Sequence, residues 1–288
     1  MNFINRLFKF YLNSSIHIAF SVLSLSFITA QSFAIKCDKN LFIFLFCSSV
    51  LGYNFIKYFG ISKFHYRSLT TRLKEIQLLS LFCLFGLIFT FIGLNNTSKP
   101  LVLCLGTVTF LYEIPFERIE SLRKVRGLKI YIIALVWAMT TVLLPLVEAD
   151  IRLESSIFFE LVQRFIFILV LMLPFEIRDL NDDDLRLSTI PQKIGILATK
   201  RLGFLGLISI FVFSFFLSQN AAIDILITTI VMVVTGIFLV VSHPKKPFYF
   251  TAFWVESVPV LWALLVLISK FIITAQHALK CCFRTLNF

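Results

Sequence analysis

Long apolar segments alternate with short polar segments along the whole chain. A helix needs roughly 20 apolar residues to cross the hydrocarbon core of a membrane, and nine segments approach that length. We expect spans at residues 15–35, 40–59, 76–94, 100–116, 129–148, 156–175, 202–219, 222–241 and 250–274. Because a spanning helix satisfies its backbone hydrogen bonds internally, the pattern predicts an all-α polytopic membrane protein with one domain over residues 1–288.

Composition supports this fold class. Hydrophobic residues make up 58% of the chain and charged residues only 15%, and the mean hydropathy is +0.90. These values exclude an ordinary soluble domain. The net charge of +11 would suit a nucleic-acid partner, but the basic residues are spread over short loops between apolar segments. We therefore expect contact with membrane lipid and no nucleic-acid binding.

The distribution of basic residues predicts the orientation. Nineteen of the 27 Lys and Arg residues fall on one side of the nine spans and seven on the other, with Arg164 inside a span. Short cytoplasmic loops are enriched in Lys and Arg, so the N-terminus is predicted in the cytoplasm, with the protein in the cell (inner) membrane. The first apolar segment is longer than the core of a signal peptide, and we expect it to be retained as a helix.

An acidic cluster follows the sixth apolar segment. Five of the 16 acidic residues lie between Glu176 and Asp184, where they are costly unless they meet water, cations or a metal. If the helix continues past Phe175, Glu176, Asp179 and Asp183 share one face. Mg²⁺ would offset the repulsion among these carboxylates and bind phosphate oxygens as well. A solvated acidic cap is the alternative.

The same region resembles a known motif. Glu176-Ile177-Arg178-Asp179 and Asp183, followed by Thr189-Ile190-Pro191 and Gly195, resemble the second aspartate-rich motif of UbiA-type intramembrane prenyltransferases. That motif reads D-x-x-D-x-x-x-D followed by T-L-P and a glycine. The nine spans and the positions of the long loops are also similar to that family.

The resemblance implies an activity and a set of roles. Members of the family transfer a polyprenyl group from its diphosphate to an aromatic or other lipophilic acceptor, with Mg²⁺ as cofactor. Asp179 and Asp183 would be catalytic and, with Glu176, would hold the metal. Arg178 and Lys193 would contact the diphosphate.

The first motif of the family is only partly present. Its pattern, N-D-x-x-D-x-x-x-D, falls on Asn54, Phe55, Tyr58 and Ser62, so only the asparagine is kept. Asn54 and Lys57 are the candidates for diphosphate contact here, and Lys57 would take the place of one metal. Alternatively, Lys57 anchors a helix end at the membrane surface.

A basic loop precedes the fifth span. Residues 118–129 resemble the family's basic loop, and Arg123 and Lys129 are its candidates for diphosphate contact. The loop is also explained by topology alone. Since three carboxylates of the first motif are missing, a non-catalytic lipid- or isoprenoid-binding protein on the same fold is a second hypothesis. Charged residues within spans, Glu113, Arg164 and Glu256, leave a transporter as a third.

Overall fold

The computed structural model describes residues 3–36, 38–64, 71–113, 127–152, 154–182, 187–217 and 221–285. Within these ranges the chain forms helices and no strands. They are α1 Phe3–Asn13, α2 Ile16–Ser32, α3 Lys39–Phe64, α4 Thr71–Ile92, α5 Ser98–Glu113, α6 Lys129–Ala138, α7 Leu144–Glu148, α8 Ser155–Arg178, α9 Ile190–Leu217, α10 Ala221–Val241 and α11 Val258–Thr285. A π-helical turn joins α6 to α7, and a second one precedes α11.

The all-α membrane fold is confirmed, and the count of nine spans is approximate. Seven stretches of the described residues are long and apolar enough to cross a membrane. They contain α3, α4, the α6–α7 unit, α8, α9, α10 and α11. The bent pair α1 and α2 is an eighth candidate. The remaining predicted span, the fourth at residues 100–116, corresponds to α5, which has only 16 residues and is shorter than the other candidates.

Helix α1 was not expected as a separate element. It meets α2 at an angle of 57°, and Ser15 at the bend has a left-handed backbone with φ of 63°. Arg6 forms an ion pair with Glu75 at 2.5 Å, and the ring of Phe8 stacks on Tyr249 at 5.7 Å. These contacts tie α1 to the start of α4 and to the turn before α11. We call this side of the bundle the α1 face.

Two π-helical turns each precede a proline. Met139–Leu143 comes before Pro145, and Phe250–Val255 comes before Pro259. Proline has no N–H to donate and its ring clashes with the carbonyl four residues earlier, so the preceding turn widens. The second turn matters for the site, since it brings Glu256 to the α1 face of the bundle.

Small residues allow α8, α9 and α10 to pack closely. A Cβ added at Gly203 would lie 2.4 Å from Leu239 Cδ2 and 2.9 Å from Leu173 Cδ1. At Gly206 it would lie 2.6 Å from Val170 Cγ2. Close approach through small residues is the usual way in which helices associate in lipid, where no hydrophobic effect drives them together.

A buried ion pair on α8 lies in the bundle core. Arg164, only 1% exposed, contacts Glu160 Oε1 at 2.7 Å. It also donates to the carbonyl of Leu25 at 2.9 Å and lies over the ring of Trp262. The charged residue noted within the sixth predicted span is therefore a link between α8, α2 and α11.

Replacing Glu160 with alanine is expected to destabilise the fold by about 3 kcal/mol, because Arg164 then keeps its charge in the core without a partner. The thermal unfolding midpoint in detergent measures the effect. Glu154→Ala, at an exposed position just before α8, is the control and should leave the midpoint unchanged. Equal midpoints for the two variants would contradict the structural role of the pair.

Candidate functional site

Glu176, near the end of α8, joins three helices. Its carboxylate is buried and lies 3.6 Å from Lys129 Nζ at the start of α6. Its other oxygen accepts a hydrogen bond from the backbone N–H of Ile190 at 3.3 Å, where α9 begins. An acceptor at a helix N-terminus satisfies a free N–H and suits the helix dipole. Glu176 thus forms an ion pair with Lys129. The sequence predicted Glu176 as a metal ligand and Lys129 as a diphosphate contact.

Arg178 and Asp179 form a two-pronged pair where α8 ends. Arg178 Nε donates to Asp179 Oδ1 at 2.6 Å and Nη2 donates to Oδ2 at 2.9 Å. Arg178 Nη1 also donates to Thr251 Oγ1 in the second π-helical turn. The guanidinium lies over the rings of Phe175 and Phe248, at 5.7 and 5.6 Å. These contacts fix its position, so the cation is held in place before any ligand binds.

Leu187, just before α9, lies beside the start of α6. The N–H of Gly127, whose φ is +72°, donates to the carbonyl of Leu187 at 2.8 Å. A Cβ at Gly127 would come within 3.0 Å of Lys193 Nζ. The exposed Lys193 ammonium is therefore placed beside the end of the basic loop. Asp183 and Arg123 lie outside the described residues.

The Thr-x-Pro-Gly segment opens α9. Pro191 occupies the first turn of the helix, where its missing N–H costs nothing. Gly195 breaks the helix with φ of 78°, a backbone conformation that favours glycine. The seventh span therefore begins earlier than the predicted residue 202.

Lys57 and Asn54 point in different directions from α3. Asn54 is buried and donates to Ser80 Oγ on α4 at 3.0 Å. Lys57 Nζ donates to the carbonyl of Leu12 at 3.4 Å, and Tyr58 donates to the carbonyl of Asn13 at 2.9 Å. These two side chains of α3 thus bind carbonyls at the C-terminus of α1. Of the two first-motif candidates, Lys57 is the one on the α1 face.

Glu256 brings the two motif regions together. Its carboxylate interacts electrostatically with both the Lys57 ammonium and the Arg178 guanidinium. The backbone carbonyl of Glu256 accepts a hydrogen bond from Ser21 Oγ at 2.5 Å, which fixes this part of the chain against α2. We call Lys57, Arg178, Asp179 and Glu256 the charge cluster. From the sequence, Glu256 is recognised only as a charged residue within a predicted span. No pattern in the sequence indicates its partners.

A histidine on α2 borders the charge cluster and interacts electrostatically with Lys57. His17 Nε2 lies 3.0 Å from the carbonyl of Phe253, which can only accept, so Nε2 carries the proton. In the neutral ring, Nδ1 then accepts from the Tyr11 hydroxyl at 2.7 Å. This chain of hydrogen bonds joins α1, α2 and the second π-helical turn around the charge cluster.

The described residues do not fit the predicted magnesium site. In the described part of the chain, no three potential ligands of the His, Cys, Asp or Glu type come together. Both oxygens of Asp179 accept hydrogen bonds from Arg178, and Glu176 is engaged by Lys129 and Ile190. Because Asp183 is not described, the predicted magnesium ligands stay a prediction.

Comparison with known proteins identifies the fold. No protein-family model matches the sequence, and no curated protein matches it significantly. The structure is similar to the apo structure of a UbiA homolog from Aeropyrum pernix K1, with a TM-score of 0.64. The likeness covers 88% of this chain and 98% of the other, at 12% identity. The chain therefore has the fold that the sequence motif predicted.

Proposed function

We propose that this protein is a membrane prenyltransferase of the UbiA type, which transfers a polyprenyl group from its diphosphate to an aromatic or other lipophilic acceptor. One observation carries the proposal: on a UbiA fold, Asp179 and Thr251 hold the Arg178 guanidinium in place at the end of α8, and Glu256 interacts with both this cation and Lys57 of the first motif region. A partly buried cluster of charges near a membrane surface is typical of a functional site.

In the proposed reaction the bond between the prenyl carbon and the diphosphate oxygen breaks, and its electron pair stays on the leaving diphosphate. Lys57 and Arg178 stabilise the negative charge that develops there. Lys129 and Lys193 add positive charge at the same face, and diphosphate contact by Arg123 stays a prediction. The acceptor then attacks the allylic cation and loses a proton. Apolar helix surfaces around the site exclude water, which would otherwise trap the cation.

Replacing Asp179 with asparagine is expected to lower prenyl transfer about tenfold. Asparagine keeps one carbonyl acceptor for Arg178 but loses the charge that strengthens this pair. The measurement uses the full chain in membranes, labelled prenyl diphosphates of several lengths and a lipid extract from the host as the source of acceptor. Asp182→Asn, at an exposed position three residues further on, is the control. Equal rates in wild type and Asp179→Asn would remove Asp179 from the site.

A non-catalytic isoprenoid-binding protein on the same fold is the second candidate. It is favoured by the first motif, where the carboxylates are missing and the Asn54 side chain donates a hydrogen bond to Ser80 Oγ. Saturable binding of a prenyl diphosphate without turnover, with acceptors from the host extract present, would support this candidate over the transferase.

A further inference from the structure

We propose that the charge cluster binds the diphosphate head group through protein N–H donors and without a divalent metal. This inference rests on the proposed function, which gives the location of the site. It adds the way in which that site recognises its ligand. It concerns binding of the head group, which can be measured separately from transfer.

The carboxylates at the site are engaged by cations. Asp179 accepts two hydrogen bonds from Arg178, one on each oxygen. Mg²⁺ binds carboxylate oxygens at about 2 Å, so a metal on either oxygen would lie close to the guanidinium. Thr251 and two aromatic rings hold that guanidinium in place. Repulsion between the two cations therefore opposes metal binding at Asp179.

Arg178 and Lys57, in contrast, have N–H donors that make no hydrogen bond to the described residues. A guanidinium has five N–H groups and an ammonium has three. In the contacts among described residues, Arg178 uses three, two to Asp179 and one to Thr251. Lys57 uses one, to the carbonyl of Leu12. Both can thus donate to phosphate oxygens while their present contacts remain in place.

The position of Lys57 strengthens the argument. In the resembling family, this stretch supplies carboxylates for a metal, whereas here it supplies an ammonium that Glu256 attracts. An ammonium and a guanidinium give direct, charge-assisted hydrogen bonds to phosphate. Glu256 is the acidic group that interacts with both cations when no ligand is bound. The ligand class is therefore an isoprenoid lipid with a diphosphate head.

Equilibrium binding of labelled farnesyl diphosphate to the full chain in lipid nanodiscs tests the proposal, in buffer with Mg²⁺ and in buffer with EDTA. We expect the two dissociation constants to agree within about threefold. Lys57→Met should weaken binding roughly 30-fold in both buffers, because one charge-assisted hydrogen bond is lost. Lys57→Arg keeps the charge and should restore most of the affinity. Lys270→Met, the same change at the opposite face, should bind as wild type does.

Two competitors separate the head group from the tail. Inorganic diphosphate should displace the label in EDTA, and farnesol should bind wild type and Lys57→Met equally. Binding more than about tenfold weaker in EDTA, or no binding in either buffer, would overturn the proposal. Binding in EDTA without prenyl transfer would contradict the proposed function and leave this inference in place. Prenyl transfer with binding only in Mg²⁺ would contradict this inference and leave the proposed function in place.

Discussion

Replacing Arg178 with leucine is expected to lower the rate of prenyl transfer by about 100-fold or more. Removing one preorganised donor that stabilises developing negative charge typically costs a factor of about 100 to 1,000 in rate. Arg178 is such a donor, since Asp179, Thr251 and two ring faces fix the guanidinium before a ligand binds. The measurement is the initial rate of transfer at saturating prenyl diphosphate.

The variant Arg178→Lys separates the effect of the positive charge on the rate from the effect of the guanidinium's geometry. Lysine keeps the positive charge but cannot donate to both oxygens of Asp179 at once, so we expect an intermediate rate. Arg201→Leu, an exposed position on α9, is the matched control and should transfer as wild type does. Because Arg178 also links α8 to the second π-helical turn, farnesol binding serves as the check of folding. A folded Arg178→Leu protein with a wild-type rate would exclude Arg178 from the reaction.

The membrane fold could be predicted because lipid imposes one simple requirement. Each span must be apolar over its length, and this leaves a pattern in the sequence that needs no knowledge of packing. The segment from Glu176 to Asp179 was found for a related reason, since carboxylates at the end of an apolar helix are rare. α1 was missed because eleven residues are too few to span a membrane, and its contacts with Glu75 and Tyr249 are tertiary.

Partners within the site could not be predicted from spacing. Helical spacing places Glu176 and Asp179 on one face, which suggests a shared metal. The structure instead pairs Glu176 with Lys129, 47 positions earlier, and Asp179 with the adjacent Arg178. Glu256 is the clearest case, because its interaction with Lys57 depends on how α3 and the turn before α11 come together. Such contacts depend on how segments that are distant in the sequence pack together. The spacing of residues in a single sequence does not indicate that packing.

The pair of variants Lys57→Met and Glu256→Gln is expected to show strong coupling in stability. Each single change leaves the other residue partly buried with one partner fewer, whereas the double change removes both ionisable groups. We therefore expect the double variant to be more stable than the sum of the single effects predicts, by about 1–3 kcal/mol. Unfolding of the four proteins in detergent measures this coupling.

Ligand binding by the same four proteins should behave differently. If Lys57 contacts the head group and Glu256 acts as its counter-ion, both variants that lack Lys57 bind farnesyl diphosphate weakly, whatever residue stands at position 256. The double variant would then be restored in stability but not in affinity. A purely structural pair would instead recover both properties together in the double variant. Recovery of affinity in that protein would therefore contradict a role for Lys57 in diphosphate binding, even if the coupling in stability is large.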